Sequence, residues 1–316
     1  MGNIKKQLLI WSSLYFPRRY NQTVWLFGSG RSGTTWVASL INHKENYREL
    51  FEPFHSSFKD LIKVNFRHHL YLRVGDLSGA LDKRVIKIFS GKIYNPRVEN
   101  LTSEILFGNK DSILVKDVFV NLMAHAVCEK YAQIKPVLLL RNPFAVALSK
   151  VDKGRWDWLN DPGEFLNQVN LCDDFLNPYK DYILEISKNG TPLEKHILIW
   201  AIINYVPLKQ FGSNGRLCVS FYEDWVMNPQ KELNRVSAFL GGHVNDFDAT
   251  LKTESINEPS KTSSKKTFSI SSWRNSINDV EYESGLRILE HFGLKNIYNF
   301  DSTPNSSELT LFLNAT

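Results

Sequence analysis

Residues 24–36 read as a buried strand, a glycine-rich turn and the start of a helix, and this order of elements constrains the fold more than any other stretch. The apolar run 24–27 leads into a turn that contains Gly28, Gly30 and Gly33. A helix that begins directly after such a turn presents unpaired backbone N–H groups and the positive end of its dipole. The segment therefore predicts an anion-binding loop at the carboxyl end of a strand.

The loop departs at one position from the loops that bind nucleoside triphosphates. Their pattern, G-x-x-x-x-G-K-[ST], places a lysine directly after the last glycine. Here Thr34 occupies that position, and the basic residue of the turn is Arg31. The loop can neutralise an anion, but it lacks the lysine expected of an ATP- and magnesium-dependent P-loop kinase. Two functional alternatives stay open, a kinase of this kind and a non-catalytic nucleotide-binding protein.

Residues 31–36 resemble the 5′-phosphosulfate-binding loop of sulfotransferases that use 3′-phosphoadenosine 5′-phosphosulfate (PAPS), whose pattern is a basic residue followed by S-G-T-T-W. Arginine replaces the commoner lysine here. The resemblance also makes Arg31 a candidate catalytic residue. It implies that PAPS, and its desulfated product PAP, contact Gly28, Gly30, Arg31, Ser32, Gly33, Thr34, Thr35 and Trp36.

A second segment, residues 137–149, also resembles the family. Its unbroken apolar run is typical of a strand buried on both faces of a parallel sheet, and Pro143 suits the start of a helix. The strand ends in Arg141, and Ser149 follows about two turns into the helix. The resemblance implies that Arg141 and Ser149 bind the 3′-phosphate of PAPS. An arginine in the place of a magnesium-binding aspartate favours a site without a metal.

Two segments nearer the C-terminus add to the resemblance. Residues 216–225 are similar to the family's F-Y-E-D strand end, which implies that Phe221 and Tyr222 lie near the nucleotide. Glu223 and Asp224 are interpreted as caps of the next helix. A basic loop followed by a tryptophan resembles the part of the family that closes over the 3′-phosphate. Its residues here are Lys265, Lys266 and Trp273.

The catalytic base is the main departure from the family. In its cytosolic members a K-T-H sequence at the end of the middle strand supplies a lysine for the leaving group and a histidine base. Here that strand ends in Lys116 and Asp117, so the lysine can be carried over and the histidine cannot.

Glu52 is the best replacement for that histidine. It ends the second strand in an F-E-P sequence that resembles carbohydrate sulfotransferases. Three alternatives stay open at this point. His55 could be the base, Asp117 is a third candidate although strand alternation aims it opposite to Lys116, and Glu52 could serve only to pair with a cation such as Arg31 or Lys116.

The alternation of short apolar strands with longer helices predicts an α/β fold of three layers, a parallel sheet with helices on both faces. The expected strands span residues 24–28, 47–51, 112–116, 136–140 and 216–221, and the expected helices residues 34–42, 119–131, 143–150, 193–210 and 228–240. The motifs extend from residue 28 to residue 275, so we expect one domain over residues 1–316. Its core covers about residues 22–300, and a helix at 1–20 and the tail 301–316 are peripheral.

The acceptor is expected to bind between two segments that interrupt the alternation, a variable segment at 53–110 and a loop-rich one at 151–192. Insertions at the ligand edge usually shape a pocket. Residues 150–179 resemble bacterial carbohydrate-directed members, which favours a sugar hydroxyl on a glycan or glycolipid. The tryptophans Trp156 and Trp158 are candidates for stacking on sugar rings or, alternatively, for the core. A lipid-linked glycan and a small phenol stay open.

Composition is consistent with these expectations. A formal net charge of +5 suits a protein that binds a polyanionic nucleotide, and no feature suggests a nucleic-acid partner. The three cysteines, Cys128, Cys172 and Cys218, lack metal-ligand spacing and are expected to be reduced thiols. The apolar run within residues 1–20 is shorter than the roughly 20 residues that span a bilayer. We therefore expect a cytoplasmic protein that can touch a membrane surface through its basic N-terminal segment.

Overall fold

The computed structural model describes residues 20–63, 66–99, 110–152, 159–242 and 270–315. Within these ranges the central sheet has five strands, β1 (Gln22–Gly28), β2 (Tyr47–Phe51), β3 (Ser112–Asp117), β4 (Ile134–Leu140) and β5 (Cys218–Phe221). All are parallel and follow the order β2-β3-β1-β4-β5. The carboxyl ends of the strands therefore meet at one edge, where open α/β sheets bind their ligands.

Helices cover both faces of this sheet. They are α1 (Thr34–Ile41), α2 (Lys59–Ile62), α3 (Gly79–Phe89), α4 (Ala124–Lys130), α5 (Pro143–Val151), α6 (Lys180–Asn189), α7 (Pro192–Phe211), α8 (Tyr222–Met227), α9 (Pro229–Leu240), α10 (Asp279–His291) and α11 (Ser306–Asn314), with short 3₁₀ and π turns between several of them. Among the described residues, no helix combines the length and the apolar composition needed to cross a bilayer.

The core has two parts because β1 is buried on both faces. Val24 and Leu26 belong to the cluster that includes α1 and α9, whereas Trp25 and Phe27 belong to the larger cluster on the opposite face. Successive side chains of a strand point to opposite faces of the sheet. This alternation confirms the predicted fold class, a three-layer α/β fold with a central parallel sheet.

The predicted strands are confirmed to within two residues at each end, but several helices differ from expectation. The segment predicted as a helix at 119–131 contains a 3₁₀ turn at 121–123 followed by α4, and the one predicted at 228–240 is preceded by a separate helix, α8. The segments predicted as variable and loop-rich contain α3 and α6. Both are clearly amphipathic helices, so their periodicity is present in the sequence, and the prediction of these segments as variable and loop-rich is wrong at these positions.

The C-terminal part of the chain also has helices that the sequence pattern did not predict. α10 packs on α7, and its start carries a capping box formed by Asn278 and Glu281. α11 lies in the segment expected to be peripheral, and its Leu309 is buried. The predicted N-terminal helix at 1–20 lies outside the described residues except for Tyr20.

The cysteines are buried, as reduced thiols in apolar surroundings should be. Burial raises the pKa of the Cys128 thiol well above its ordinary value, so it is a poor nucleophile.

Candidate active site and nucleotide-binding site

The loop between β1 and α1 folds back on itself at the carboxyl edge of the sheet. Both the backbone N–H and the hydroxyl of Ser32 donate to the carbonyl oxygen of Ser29, at 3.1 and 2.6 Å. Arg31 and Gly33 have left-handed backbone conformations, with φ of 73° and 87°. A tight turn with left-handed residues directly before a helix N-terminus is typical of an anion-binding loop.

Two glycines of the loop are required by close packing. A side chain on Gly28 would place its Cβ 2.4 Å from the carbonyl oxygen of Leu139, and one on Gly33 would place it 2.5 Å from the ring of Tyr222. Tyr222 also contacts the edge of Trp36 in the first turn of α1, with ring centroids 5.4 Å apart. The loop, α1 and the start of α8 are thereby packed together.

The structure brings together three of the residues predicted to bind phosphate groups. Arg31 Nε donates to Ser149 Oγ at 2.9 Å, and Arg141 Nη1 donates to the carbonyl oxygen of Arg31 at 2.9 Å. The Arg141 guanidinium lies 4.5 Å from the centroid of the Tyr222 ring. These residues come from the loop, α5 and the end of β4, so one cationic cluster draws on three elements.

Glu52 and Lys116 form an ion pair at the same edge. Lys116 Nζ lies 2.7 Å from Glu52 Oε1, and the two side chains are 3% and 15% exposed. Lys116 stands in register with Phe51 on one side and Leu26 on the other, so the pair lies beside the end of β1. The ammonium group also sits 4.2 Å from the centroid of the Phe51 ring. The pairing of Glu52 with a cation, one of the expectations from the sequence, is thus observed with Lys116.

Asp117 has a structural role. Its Oδ2 accepts from the backbone N–H of Phe54, and its Oδ1 accepts from the N–H groups of Val118 and Phe119, at 2.8–3.0 Å. Burial, with the charge of Glu52 nearby, raises the pKa of Asp117 to about 7. The carboxyl group ties the turn after β2 to the end of β3 and is occupied on both oxygens.

His55 is buried, and its Nδ1 is already engaged. The backbone N–H of Ser57 donates to His55 Nδ1 at 3.1 Å, and Ser57 Oγ lies 2.8 Å from the same nitrogen. A neutral imidazole that accepts at Nδ1 carries its proton on Nε2. Burial and the positive charge of Arg97 lower the pKa of His55. The ring therefore braces the turn after Glu52 in its neutral form.

Tyr222 and Phe221 differ in exposure. Tyr222 is partly exposed against the loop, whereas Phe221 is buried at the end of β5 and contacts the edge of Tyr298, with ring centroids 5.5 Å apart.

The sequence interpretation makes Glu223 a cap of the next helix. The structure differs, because the Glu223 side chain does not cap α8. Its carboxylate accepts from the backbone N–H of Asn142 at 2.9 Å and from the hydroxyl of Tyr298 at 3.2 Å. Burial raises its pKa to about 7. The N–H of Asn142 lies at the start of α5, and the N-terminus of a helix favours a nearby carboxylate. The bond to Glu223 therefore holds the turn that carries Arg141.

The predicted lysines of the C-terminal loop, Lys265 and Lys266, lie outside the described residues, as do Trp156 and Trp158. Trp273 is buried, stacks on Phe144 at 4.8 Å between ring centroids, and donates from Nε1 to Ser302 Oγ at 3.0 Å. It therefore fixes the chain that follows the predicted basic loop to the start of α5.

The two segments predicted to shape the acceptor site contact each other. Arg73 makes a bidentate bond to Asp174, at 2.8 and 2.7 Å, and Tyr71 donates to the same carboxylate at 2.7 Å. Gln168 accepts from the backbone of Tyr71 and donates to the carbonyl oxygen of His69. Residues 66–77 and 168–176 thus form one unit, and the backbone N–H of His69 joins it to the carbonyl oxygen of Phe119, which follows β3.

One further residue reaches the loop and was missed in the sequence. Lys150 is buried, and its Nζ donates to Ser29 Oγ at 3.1 Å. Its position directly after Ser149 was the available signal, but a lysine near the end of a helix ordinarily reads as a solvent-exposed residue.

The arrangement suits a ligand that carries several negative charges. Arg31, Arg141, Lys116 and Lys150 supply cationic groups, and the loop adds backbone amides at a helix N-terminus. Glu52 is the carboxylate that faces the same edge. No cluster of three or more His, Cys, Asp or Glu side chains suited to a metal ion occurs in the described ranges.

Residues 21–288 match the family described as sulfotransferase domain. Comparison with curated protein sequences finds no match. Similar solved structures include the sulfotransferase domain of the Synechococcus PCC 7002 olefin synthase, with 17% identity over 87% of this chain and 95% of that one and a TM-score of 0.44. Another is a sulfotransferase from Alicyclobacillus acidocaldarius, with 15% identity, coverage of 86% and 96%, and a TM-score of 0.42. A mouse sulfotransferase complexed with PAP shares 16% identity, with coverage of 93% and 90% and a TM-score of 0.36.

Proposed function

This chain belongs to the sulfotransferase domain family, and on that premise we propose that it transfers the sulfuryl group of PAPS to a hydroxyl group of an acceptor. The observation that carries the proposal is the Glu52–Lys116 pair, with 2.7 Å between carboxylate and ammonium, beside a loop that is built to bind an anion. A proton acceptor and a cation for a leaving group thus stand together at one edge.

The loop residues and the cationic cluster fit the two phosphate-bearing ends of PAPS. The loop amides and Arg31 would hold the 5′-phosphosulfate, and Arg141 and Ser149 would hold the 3′-phosphate. Lys265 and Lys266 are proposed to add charge to the 3′-phosphate site. PAPS supplies the sulfuryl group, whose S–O bond to the phosphate breaks as a new S–O bond to the acceptor oxygen forms, with PAP as the product.

Sulfuryl transfer resembles phosphoryl transfer, in which an enzyme mainly positions its partners in line and stabilises charge on the leaving group. We assign to Lys116 the role of donor to the phosphate oxygen that gains charge. We assign to Glu52 the role of base, which accepts the proton of the acceptor hydroxyl through the carboxylate oxygen that does not bond Lys116. The proton then resides on Glu52 until solvent removes it.

Glu52 suits the role of base better than the two alternatives. Asp117 uses both oxygens to bind backbone amides. His55 accepts a backbone amide at Nδ1, so its other ring nitrogen carries a proton and is not basic. Glu52 is paired through one oxygen and is partly exposed. The absence of the family's histidine is therefore compatible with catalysis.

We propose a carbohydrate or glycoconjugate as the acceptor. Support comes from the F-E-P sequence around Glu52 and from residues 150–179, which resemble carbohydrate-directed sulfotransferases. We assign the unit formed by residues 66–77 and 168–176 to the acceptor side of the site, and its polar surface, which includes the Arg73–Asp174 pair, supports a polar acceptor. A phenol would need little of this polar surface.

The test is transfer of radiolabelled sulfuryl from PAPS to a panel of oligosaccharides, glycolipids and small phenols. We expect label on a sugar hydroxyl with the wild-type protein and little label with Glu52→Gln. Transfer to phenols alone would contradict the acceptor class. A protein that binds PAP but transfers label to nothing in the panel would favour the non-catalytic alternative.

A further inference from the structure

Helix α5 contacts the phosphate loop through two successive residues. Ser149 Oγ accepts from Arg31 Nε at 2.9 Å, and Lys150 Nζ donates to Ser29 Oγ at 3.1 Å. Ser29 and Arg31 flank Gly30, so the two bonds hold the loop on both sides of its middle glycine. Ser149 belongs to the resemblance described above, whereas nothing in that resemblance concerns Lys150.

Lys150 is a costly residue to bury. Lys150 is 3% exposed. Lysine is almost never buried without a partner that offsets the free-energy cost of removing its charge from water. Three charged or titratable groups from other elements interact electrostatically with Lys150. One is Arg31 of the loop, whose charge adds to the effect of burial in lowering the pKa of Lys150. The others are His69 of the acceptor segment and His196 of α7, whose pKa values are lowered by burial and by the charge of Lys150.

Burial, and then the positive charge of Arg31, lowers the pKa of Lys150 to about 7. Burial also lowers the pKa of His69 and brings that of His196 to about 4, so both imidazoles are neutral at pH 7. Neither histidine therefore changes its charge near pH 7.

We propose that Lys150 is a positioning residue of the phosphate loop, whose buried ammonium group holds Ser29 in place and adds a positive charge behind the loop when an anionic nucleotide binds. The inference rests on the proposed function, because it requires that the loop binds the phosphates of PAPS and PAP.

A bound polyanion favours the charged form of a nearby lysine, so PAP binding should raise the pKa of Lys150. The complex then holds more protons than the separate partners, and the affinity for PAP falls as the pH rises above 7. A rise of one pKa unit on binding corresponds to about a tenfold loss of affinity across the titration. The phosphate groups ionise near pH 6 and contribute little above pH 7.

The experiment is calorimetric titration with PAP between pH 7 and 9.5, using buffers of different ionisation enthalpy to count the protons taken up. Lys150→Met removes the charge and keeps most of the apolar stem, and Lys150→Gln is a second neutral variant that keeps a donor for Ser29. Lys188→Met removes one charge from an exposed site on α6 and is the matched control. Glu223 and Asp117, with pKa values raised to about 7, are present in every protein compared.

We expect the wild-type protein and Lys188→Met to take up protons on binding. For a rise of one pKa unit they should lose about fivefold in affinity between pH 7 and 9.5, because about half of Lys150 is already deprotonated at pH 7 in the free protein. Both Lys150 variants should bind PAP about tenfold more weakly at pH 7, take up fewer protons and show a flatter profile. If the wild type binds PAP and the folded Lys150 variants match it in affinity and proton uptake, this inference is overturned and the proposed function stands. A wild type that does not bind PAP would overturn both.

Discussion

Glu52 and Lys116 are joined twice, once through the backbone and once through their side chains. The N–H of Glu52 donates to the carbonyl oxygen of Lys116 at 2.7 Å, and Lys116 Nζ donates to Glu52 Oε1 at 2.7 Å. Glu52 has a left-handed backbone, with φ of 47°, which costs a residue with a side chain about 1–3 kcal/mol. The double connection holds Glu52 in this conformation at the point where the proposed chemistry takes place.

The first prediction concerns the base. Glu52→Gln keeps the shape and one acceptor for Lys116 but cannot take a proton, so kcat should fall by roughly 10²–10⁴ while affinity for PAP stays within a few-fold. Steady-state kinetics on the acceptor identified by the panel, with PAP calorimetry alongside, would measure both. Normal turnover by Glu52→Gln together with an inactive, folded His55→Ala would instead identify His55 as the base.

Lys116 should behave differently from Glu52 when it is removed. Lys116→Ala eliminates the proposed stabilisation of the leaving group and leaves Glu52 without its partner, so both the rate and the affinity for PAP should decrease. The comparison of the two variants by calorimetry separates the roles. Equal PAP affinity in Glu52→Gln and Lys116→Ala would argue against a role for Lys116 at the phosphate.

The third prediction concerns the 3′-phosphate. Each charge-assisted hydrogen bond contributes about 1.5–3 kcal/mol, so Arg141→Ala should raise the Kd for PAP about 10–100-fold. Ser149→Ala should raise it less, because the hydroxyl is neutral. Arg287→Ala, at an exposed position of α10, is the control for a lost positive charge. An unchanged Kd in a folded Arg141→Ala protein would remove this assignment.

A fourth prediction follows from the cost of burying Lys150. Because the pKa of Lys150 is lowered to about 7, folding with the lysine charged is unfavourable below that pH, and this penalty shrinks as the pH rises from about 7 toward 10.5. Lys150→Met should therefore raise the melting temperature without ligand, by roughly 1–2 °C for each kcal/mol gained in a chain of 316 residues. The gain should be largest below pH 7 and smaller at pH 9. Calorimetric melting at both values would measure it, and a lower melting temperature at pH 6 would contradict it.

The sequence identified the fold and the phosphate loop because their signals are local. The apolar run, the glycines and the first turn of α1 are adjacent in the chain, and β1 and α1 begin and end within two residues of expectation. α8 is not predicted, because Glu223 and Asp224 are interpreted as caps of the helix that follows, whereas they belong to a short helix of their own before the Asn228–Pro229 boundary.

Most contacts that arrange the site could not be predicted in the same way. The sequence offers both Arg31 and Lys116 as partners of Glu52, and the bond to Lys116, which spans 64 positions, depends on the register of β2 against β3. Lys150 is buried only because α5 packs beside the loop, and Glu223 finds the amide of Asn142 only because β4 and β5 are neighbours. Each of these contacts joins residues that are far apart in the chain.

The measurement that tests the central claim most directly is calorimetry with PAP and with ATP, each in the presence of EDTA and of magnesium. Arg141 and Ser149 are proposed to bind a 3′-phosphate, which ATP lacks. We predict that PAP binds at least tenfold more tightly than ATP, an advantage consistent with a single charge-assisted bond, and that magnesium does not change its affinity. Tighter binding of ATP, dependent on magnesium, would contradict the account and favour a kinase.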